Sequence, residues 1–98
     1  MEIKKELNKD ELVLKVIGEV NSTNYQELED EVNKSANGVK SLVFDFSELE
    51  YLSSAGLRVL LISKKLMDKK GKMVIRGANK TVMDIFEITG FSNVLDFE

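Results

Sequence analysis

Residues 41–75 read SLVFDFSELEYLSSAGLRVLLISKKLMDKKGKMVI, and this stretch decides the fold. Leu42-Val43-Phe44 is a short apolar run of the kind that forms a strand buried on both faces, and Ser47 to Glu50 reads as a polar bend after it. Ser53-Ser54 then opens a helical pattern that runs to about Lys70, where Gly71 stops it, and Met73-Val74-Ile75 begins the next strand. Strand, helix and strand in succession make a parallel pair joined by a right-handed crossover.

Toward the N-terminus, Glu2 to Leu7 and Glu11 to Val20 flank the polar triplet Asn8-Lys9-Asp10 and predict an antiparallel hairpin. Leu12, Leu14 and Val16 share one face of it, while Lys15 and Glu19 keep the other partly wet. Asn21-Ser22-Thr23-Asn24 offers capping oxygens ahead of Tyr25, Leu28 and Val32, whose spacing predicts an amphipathic helix ending near Gly38. Toward the C-terminus a third helix starts near Asn79 and carries Val82, Ile85, Phe86 and Thr89 as far as Gly90, and Val94 to Phe97 adds a last short strand. The expected order is ββαβαβαβ: one α/β domain over residues 1–98, with a mixed, mostly parallel sheet of about five strands and helices mainly on one face. Leu14, Val16, Leu28, Val32, Val43, Phe44, Leu60, Val74, Ile85 and Phe86 are its expected core.

Composition narrows the chemistry. The chain has 98 residues with 43% apolar and 32% charged side chains, which suits a soluble globular domain too short for two cores. Its longest apolar run, Val59 to Ile62, is far below the ~20 residues of a membrane span. With no Cys and no His there is no disulfide, no zinc site of the usual nitrogen and sulfur type, and no histidine base, which leaves carboxylates, lysines and hydroxyls to carry chemistry. No Gly-x-Ser-x-Gly elbow surrounds Ser54 and only lysines could serve it as base, so no catalytic residue, metal or cofactor is expected. A net charge of −3 does not suit a nucleic-acid arm. The basic group Lys64, Lys65, Lys69, Lys70 and Lys72 falls at a helix end, where cations complement the dipole.

In a sheet of this topology the loops leaving the carboxyl ends of the strands gather on one rim, here residues 21–24, 47–55 and 77–80. The informative loop delivers two adjacent hydroxyls to a helix start. An N-cap accounts for one of them. The first turn carries no acid and instead holds Arg58, which the positive end of the helix disfavours. A phosphate on Ser53 or Ser54 would sit among free N–H groups with Arg58 within reach.

At this loop the sequence resembles the STAS domains, and within them the bacterial anti-sigma factor antagonists. The resemblance rests on Gly18-Glu19-Val20, Val43-Phe44-Asp45-Phe46-Ser47, the Tyr51 to Leu61 segment and Gly90-Phe91. In that family the helix opens with Asp-Ser-Ser/Thr-Gly, and the first serine is phosphorylated by an anti-sigma factor that is also a serine kinase. Register on Gly56 puts that serine at Ser54, with Ser53 in place of the usual aspartate and Ala55 in place of the second hydroxyl. Asp45 matches an acidic position of the family; capping its own turn is the other reading of it.

The resemblance implies a binding module, not an enzyme. Unphosphorylated, it docks on the anti-sigma factor and frees a sigma factor; phosphorylation at Ser54 ends the docking, and a phosphatase acting on that phosphoserine restores it. The expected contact residues are Asn21, Ser22, Thr23, Asp45, Ser53, Ser54, Ala55, Gly56, Leu57, Arg58 and Leu61, although Leu57 and Leu61 also suit core positions. Neither nucleic acid nor membrane is an expected partner, and the expected location is the cytoplasm. A STAS scaffold that is never phosphorylated, or a small-ligand sensor, is the alternative.

Overall fold

Strand β1 (Glu2–Asn8) turns back through Lys9, whose φ of 55° is the left-handed geometry of a tight hairpin, into β2 (Glu11–Val20). The chain continues as α1 (Tyr25–Ser35), β3 (Ser41–Asp45), β4 (Leu49–Leu52), α2 (Ser54–Asp68), β5 (Lys72–Arg76) and α3 (Lys80–Thr89), with a 3-10 turn at Phe91–Asn93. This computed structural model describes residues 1–98. β1 and β2 are antiparallel, β2, β3 and β5 are parallel, and the sheet order is β1-β2-β3-β5. It is a mixed five-stranded sheet with three helices, as the sequence leads one to expect.

One of the five strands is not the expected one. Ser47 to Glu50 does not simply bend into the second helix: Leu49–Leu52 forms β4, parallel to Gly18–Val20 at the end of β2. Its pattern of buried, exposed, exposed, buried lacks the alternation that marks a strand, because β4 itself carries an extra residue, Glu50, between Leu49 opposite Gly18 and Tyr51 opposite Glu19. Gly18 has a φ of 94°, a conformation that costs other residues dearly. Val94 to Phe97, in contrast, makes only a single parallel bridge, Phe97 to Ile75, after the 3-10 turn. That segment is too short to hold a ladder of its own.

Register explains where the core sits. Leu12, Leu42 and Met73 lie abreast across three strands, as do Leu14, Phe44 and Ile75. Alternation along a strand sends all six to one face. Leu28 and Val32 of α1, Leu60 and Met67 of α2, and Val82 and Phe86 of α3 join them in one cluster, so the three helices cover the same face. Val74 and Ile85, expected in the core, are half-buried: Val74 points to the opposite face with Val13 and Val43, and Ile85 lies at the rim of the α3 contact. The uncovered face also carries Lys15, Asp45 and Arg76 in register.

Candidate functional site

Bringing β4 alongside the end of β2 sets the geometry of the rim. The Ser53 N–H donates to the Val20 carbonyl at 2.9 Å, which ties the start of α2 to the residue that opens the β2–α1 loop. That loop is organised by Asn21, whose Oδ1 accepts from Thr23 N–H at 2.9 Å, Thr23 Oγ1 at 2.6 Å and Asn24 N–H at 3.2 Å. Asn24 answers by accepting from the Asn21 N–H at 2.9 Å and donating to the Glu19 carbonyl at 3.0 Å. The result is a rigid turn with Ser22 and Thr23 exposed on its outside.

α2 starts with Ser53 in extended conformation and Ser54 as the first helical residue. The expected side-chain cap is absent: Ser53 Oγ makes no capping bond and is buried without any partner. Its carbonyl still accepts the first helical bond, from Leu57 N–H at 2.9 Å. Ser54 is exposed, no acidic residue stands in the first turn, and Arg58, one turn on, is exposed on the same side. A hydroxyl is thereby presented at the positive end of a 15-residue helix, beside N–H groups that no side chain satisfies.

Gly56 holds this start against the sheet. A Cβ there would stand 3.0 Å from Val20 Cγ1 and 3.1 Å from Leu52 Cγ, so the helix backbone approaches β2 and β4 as only glycine permits. The same approach buries Leu57 to 6% exposure, so this side chain belongs to the core and is not a contact for a partner. Ala55 and Leu61 are half-buried. Asn79 anchors the third rim segment: its Oδ1 caps α3 by accepting from Val82 N–H at 2.9 Å, and its Nδ2 donates to the Leu49 carbonyl of β4 at 3.0 Å.

Asp45 does not join this group. It projects from the uncovered face, opposite to Phe44 and Phe46, where its Oδ1 accepts from Ser47 N–H at 3.0 Å and its Oδ2 from Arg76 at 3.4 Å. Burial pushes the Asp45 carboxyl up, but the hydrogen bonds from Ser47 and the Arg76 guanidinium outweigh it and hold the group below its ordinary range. Asp45 therefore caps its own turn, the local reading of this residue. Beside it the Lys15 ammonium is held above its usual value by a hydrogen bond to Glu48. Lys4, Val13, Lys15, Asp45 and Arg76 line the one concavity, about 280 Å³, on this face. Its charged lining is unlike the mostly apolar wall of a small-molecule pocket.

Tyr51 is a rim residue that sequence reading passes over. It pairs with Glu19, and its ring is 48% exposed. Once β4 is recognised, its outward direction follows; without that strand nothing marks it.

The fold and this rim define the class of protein. Residues 2–98 match the STAS domain model, and the chain belongs to the STAS domain family. Within it, the chain is similar to BtrV of Bordetella bronchiseptica, named as an anti-sigma factor antagonist, with 40% identity over 79 residues that cover 79% of this chain and 68% of that protein. Among solved structures, an anti-sigma factor antagonist from Mycobacterium paratuberculosis superposes with a TM-score of 0.88 at 22% identity, covering 98% of this chain and 83% of that one. The antagonist SpoIIAA in its unphosphorylated form gives 0.85 at 15% identity, covering 99% and 88%. At these identities the structural likeness speaks for the fold.

Proposed function

We propose that this chain is an anti-sigma factor antagonist. In its unmodified form it docks on an anti-sigma factor through the rim around the start of α2, and a sigma factor is released. The partner is a serine kinase whose phosphoryl transfer to Ser54 ends the docking, and a phosphatase reverses it. The chain is thus a substrate and a binding module acting in the cytoplasm, not a catalyst. The single observation that carries the reading is the exposed Ser54 hydroxyl at an uncapped, acid-free helix start with Arg58 one turn away. The 40% identity to a protein named as such an antagonist supports it.

Asn21, Ser22, Thr23, Tyr51, Ser53, Ser54, Ala55, Arg58 and the exposed edge of Leu61 make the contact surface, with Gly56 and Leu57 holding its shape from within. A phosphoserine adds about −1.5 to −2 charges, which the helix end and Arg58 stabilise by ~0.3 to 2 kcal/mol, so the domain keeps its fold. Covered by a partner shaped for a hydroxyl, the same group must be desolvated at a cost of several kcal/mol. At 1.4 kcal/mol per tenfold, the loss of affinity is roughly a hundredfold or more.

The test is calorimetric titration of unmodified chain, Ser54 phosphoprotein, Ser54→Ala and Ser54→Asp against the purified anti-sigma factor, with phosphosite mapping after incubation with the kinase and ATP. Docking of the unmodified form, a single phosphate on Ser54 and a weakened Ser54→Asp are expected. Phosphate on Ser53, or equal affinities for all forms, refutes the switch. Docking without any phosphate transfer identifies the unphosphorylated scaffold instead.

A further inference from the structure

The free edge of the sheet carries an inference of its own, independent of the rim. β1 pairs only with β2 and leaves its other edge open. Ser41 N–H donates to the Asp10 carbonyl at 3.1 Å, so along β2 the even-numbered residues direct their peptide groups to β3 and the odd-numbered ones to β1. In the β1 register Glu2, Lys4, Glu6 and Asn8 face Ile17, Lys15, Val13 and Glu11 and turn their N–H and C=O groups inward. Those of Ile3, Lys5 and Leu7 therefore point outward, and none of the bonds made outside the regular elements reaches them. Leu7, 61% exposed, lies on that edge.

We propose that this edge pairs with the same edge of a second copy, about a twofold axis through Lys5. Antiparallel pairing of outward residues requires Ile3, Lys5 or Leu7 opposite one of the same three. Centring on Lys5 is the register that uses the whole of Glu2–Asn8. It sets Ile3 against Leu7, Lys4 against Glu6 and Glu2 against Asn8, each twice. Sliding the copy by two residues one way sets Lys4 against Lys4 and Glu2 against Glu6; sliding it the other way sets Glu6 against Glu6. Charge thus selects the centred register among its neighbours.

On the helix side the pairing covers Leu7 with Ile3, which already packs against the core. On the uncovered face it makes two Lys4–Glu6 pairs. The like pair, Lys5 with Lys5, has an answer in each copy: Lys5 Nζ lies 3.5 Å from Glu31 Oε2 and 3.4 Å from Ser35 Oγ. Lysines on an edge strand weaken such pairing, so the association is concentration-dependent and Lys5 sets its strength. The product is one continuous sheet across two copies, with both rims free.

Sedimentation equilibrium of the 98-residue chain, with circular dichroism confirming the fold of each variant, tests the pairing. A reversible dimer is expected for the parent. Glu6→Lys should weaken it at least tenfold, Lys4→Glu with Glu6→Lys in one chain should restore it, and Lys5→Val should tighten it. Register is read separately: because the chain has no cysteine, Ile3→Cys and Leu7→Cys chains mixed under mild oxidant should cross-link to each other in preference to themselves. A parent and a Lys5→Val variant that both stay monomeric, a charge swap that fails to restore association, or cross-links only between identical chains would overturn the proposal.

Discussion

Replacing Gly56 with alanine pits two opposite effects against each other at the point where the rim is held. In an exposed helix the change gains about 1 kcal/mol, since glycine is the poorer helix former by that amount. Here the new methyl group would stand 3.0 Å from Val20 Cγ1 and 3.1 Å from Leu52 Cγ, and closer still to Leu52 Cδ1. Val20 and Leu52 are 0% and 1% exposed, so neither can swing into solvent, and overpacking of this kind costs typically 1–3 kcal/mol. The net expectation is a loss of up to ~2 kcal/mol, which in a domain of this size lowers Tm by about 4–8 °C for each kcal/mol. Relief comes from lifting the first turn of α2 off the sheet, and that displaces Ser54. The variant should therefore bind the anti-sigma factor more weakly than its remaining stability explains. Denaturant titration and calorimetric binding measure the two effects, with Ser54→Ala as a control that stays within about 0.5 kcal/mol of the parent in stability. A Gly56→Ala chain that is more stable by the full helix-propensity gain would refute the reasoning, because α2 would then have room to spare.

Phe44→Ala should cost about 3–5 kcal/mol, since the ring is fully buried against Phe46 at 5.7 Å between centroids; a loss below ~1 kcal/mol in denaturant titration would remove it from the core. Ser53→Ala should change stability by less than about 0.5 kcal/mol, or raise it, because its Oγ is buried without a partner and caps nothing; a loss of ~1 kcal/mol or more in thermal melts would mean the hydroxyl does cap the helix. Asp45 has a carboxyl held below its ordinary 3.8, so its contribution is fully present above that value and is lost as pH falls through the lower folded-state value. Asp45→Asn should accordingly be less stable than the parent at neutral pH, with a shallower decline below about pH 4 when melts are followed against pH.

Periodicity made the three helices and four of the strands legible in the sequence, and the reason is local: Leu28 and Val32, or Leu12, Leu14 and Val16, repeat at the interval that a helix or a strand turns toward its core. The helix start around Ser53-Ser54 was legible for the same reason, and the resemblance to the STAS family, in register on Gly56, singled out Ser54. β4 was not legible, because its own extra residue, Glu50, breaks the alternation, and the pairing that makes it a strand is with Gly18–Val20, far away in the chain. Tyr51 was lost with it. The role of Ser53 also needed the structure: a serine at an N-cap position caps only if its rotamer reaches the helix N–H groups, and here the hydroxyl is buried and makes no such bond. Asp45 and Leu57 sit near Ser54 in the sequence, yet strand alternation turns Asp45 to the other face and helix rotation turns Leu57 into the core. The kind and order of most elements, and the hydroxyls at the start of α2, follow from neighbours along the chain and so can be read from residue order. The tertiary structure alone decided which of the nearby side chains share the Ser54 hydroxyl's surface, because that depends on which strand lies beside which and which way each residue faces.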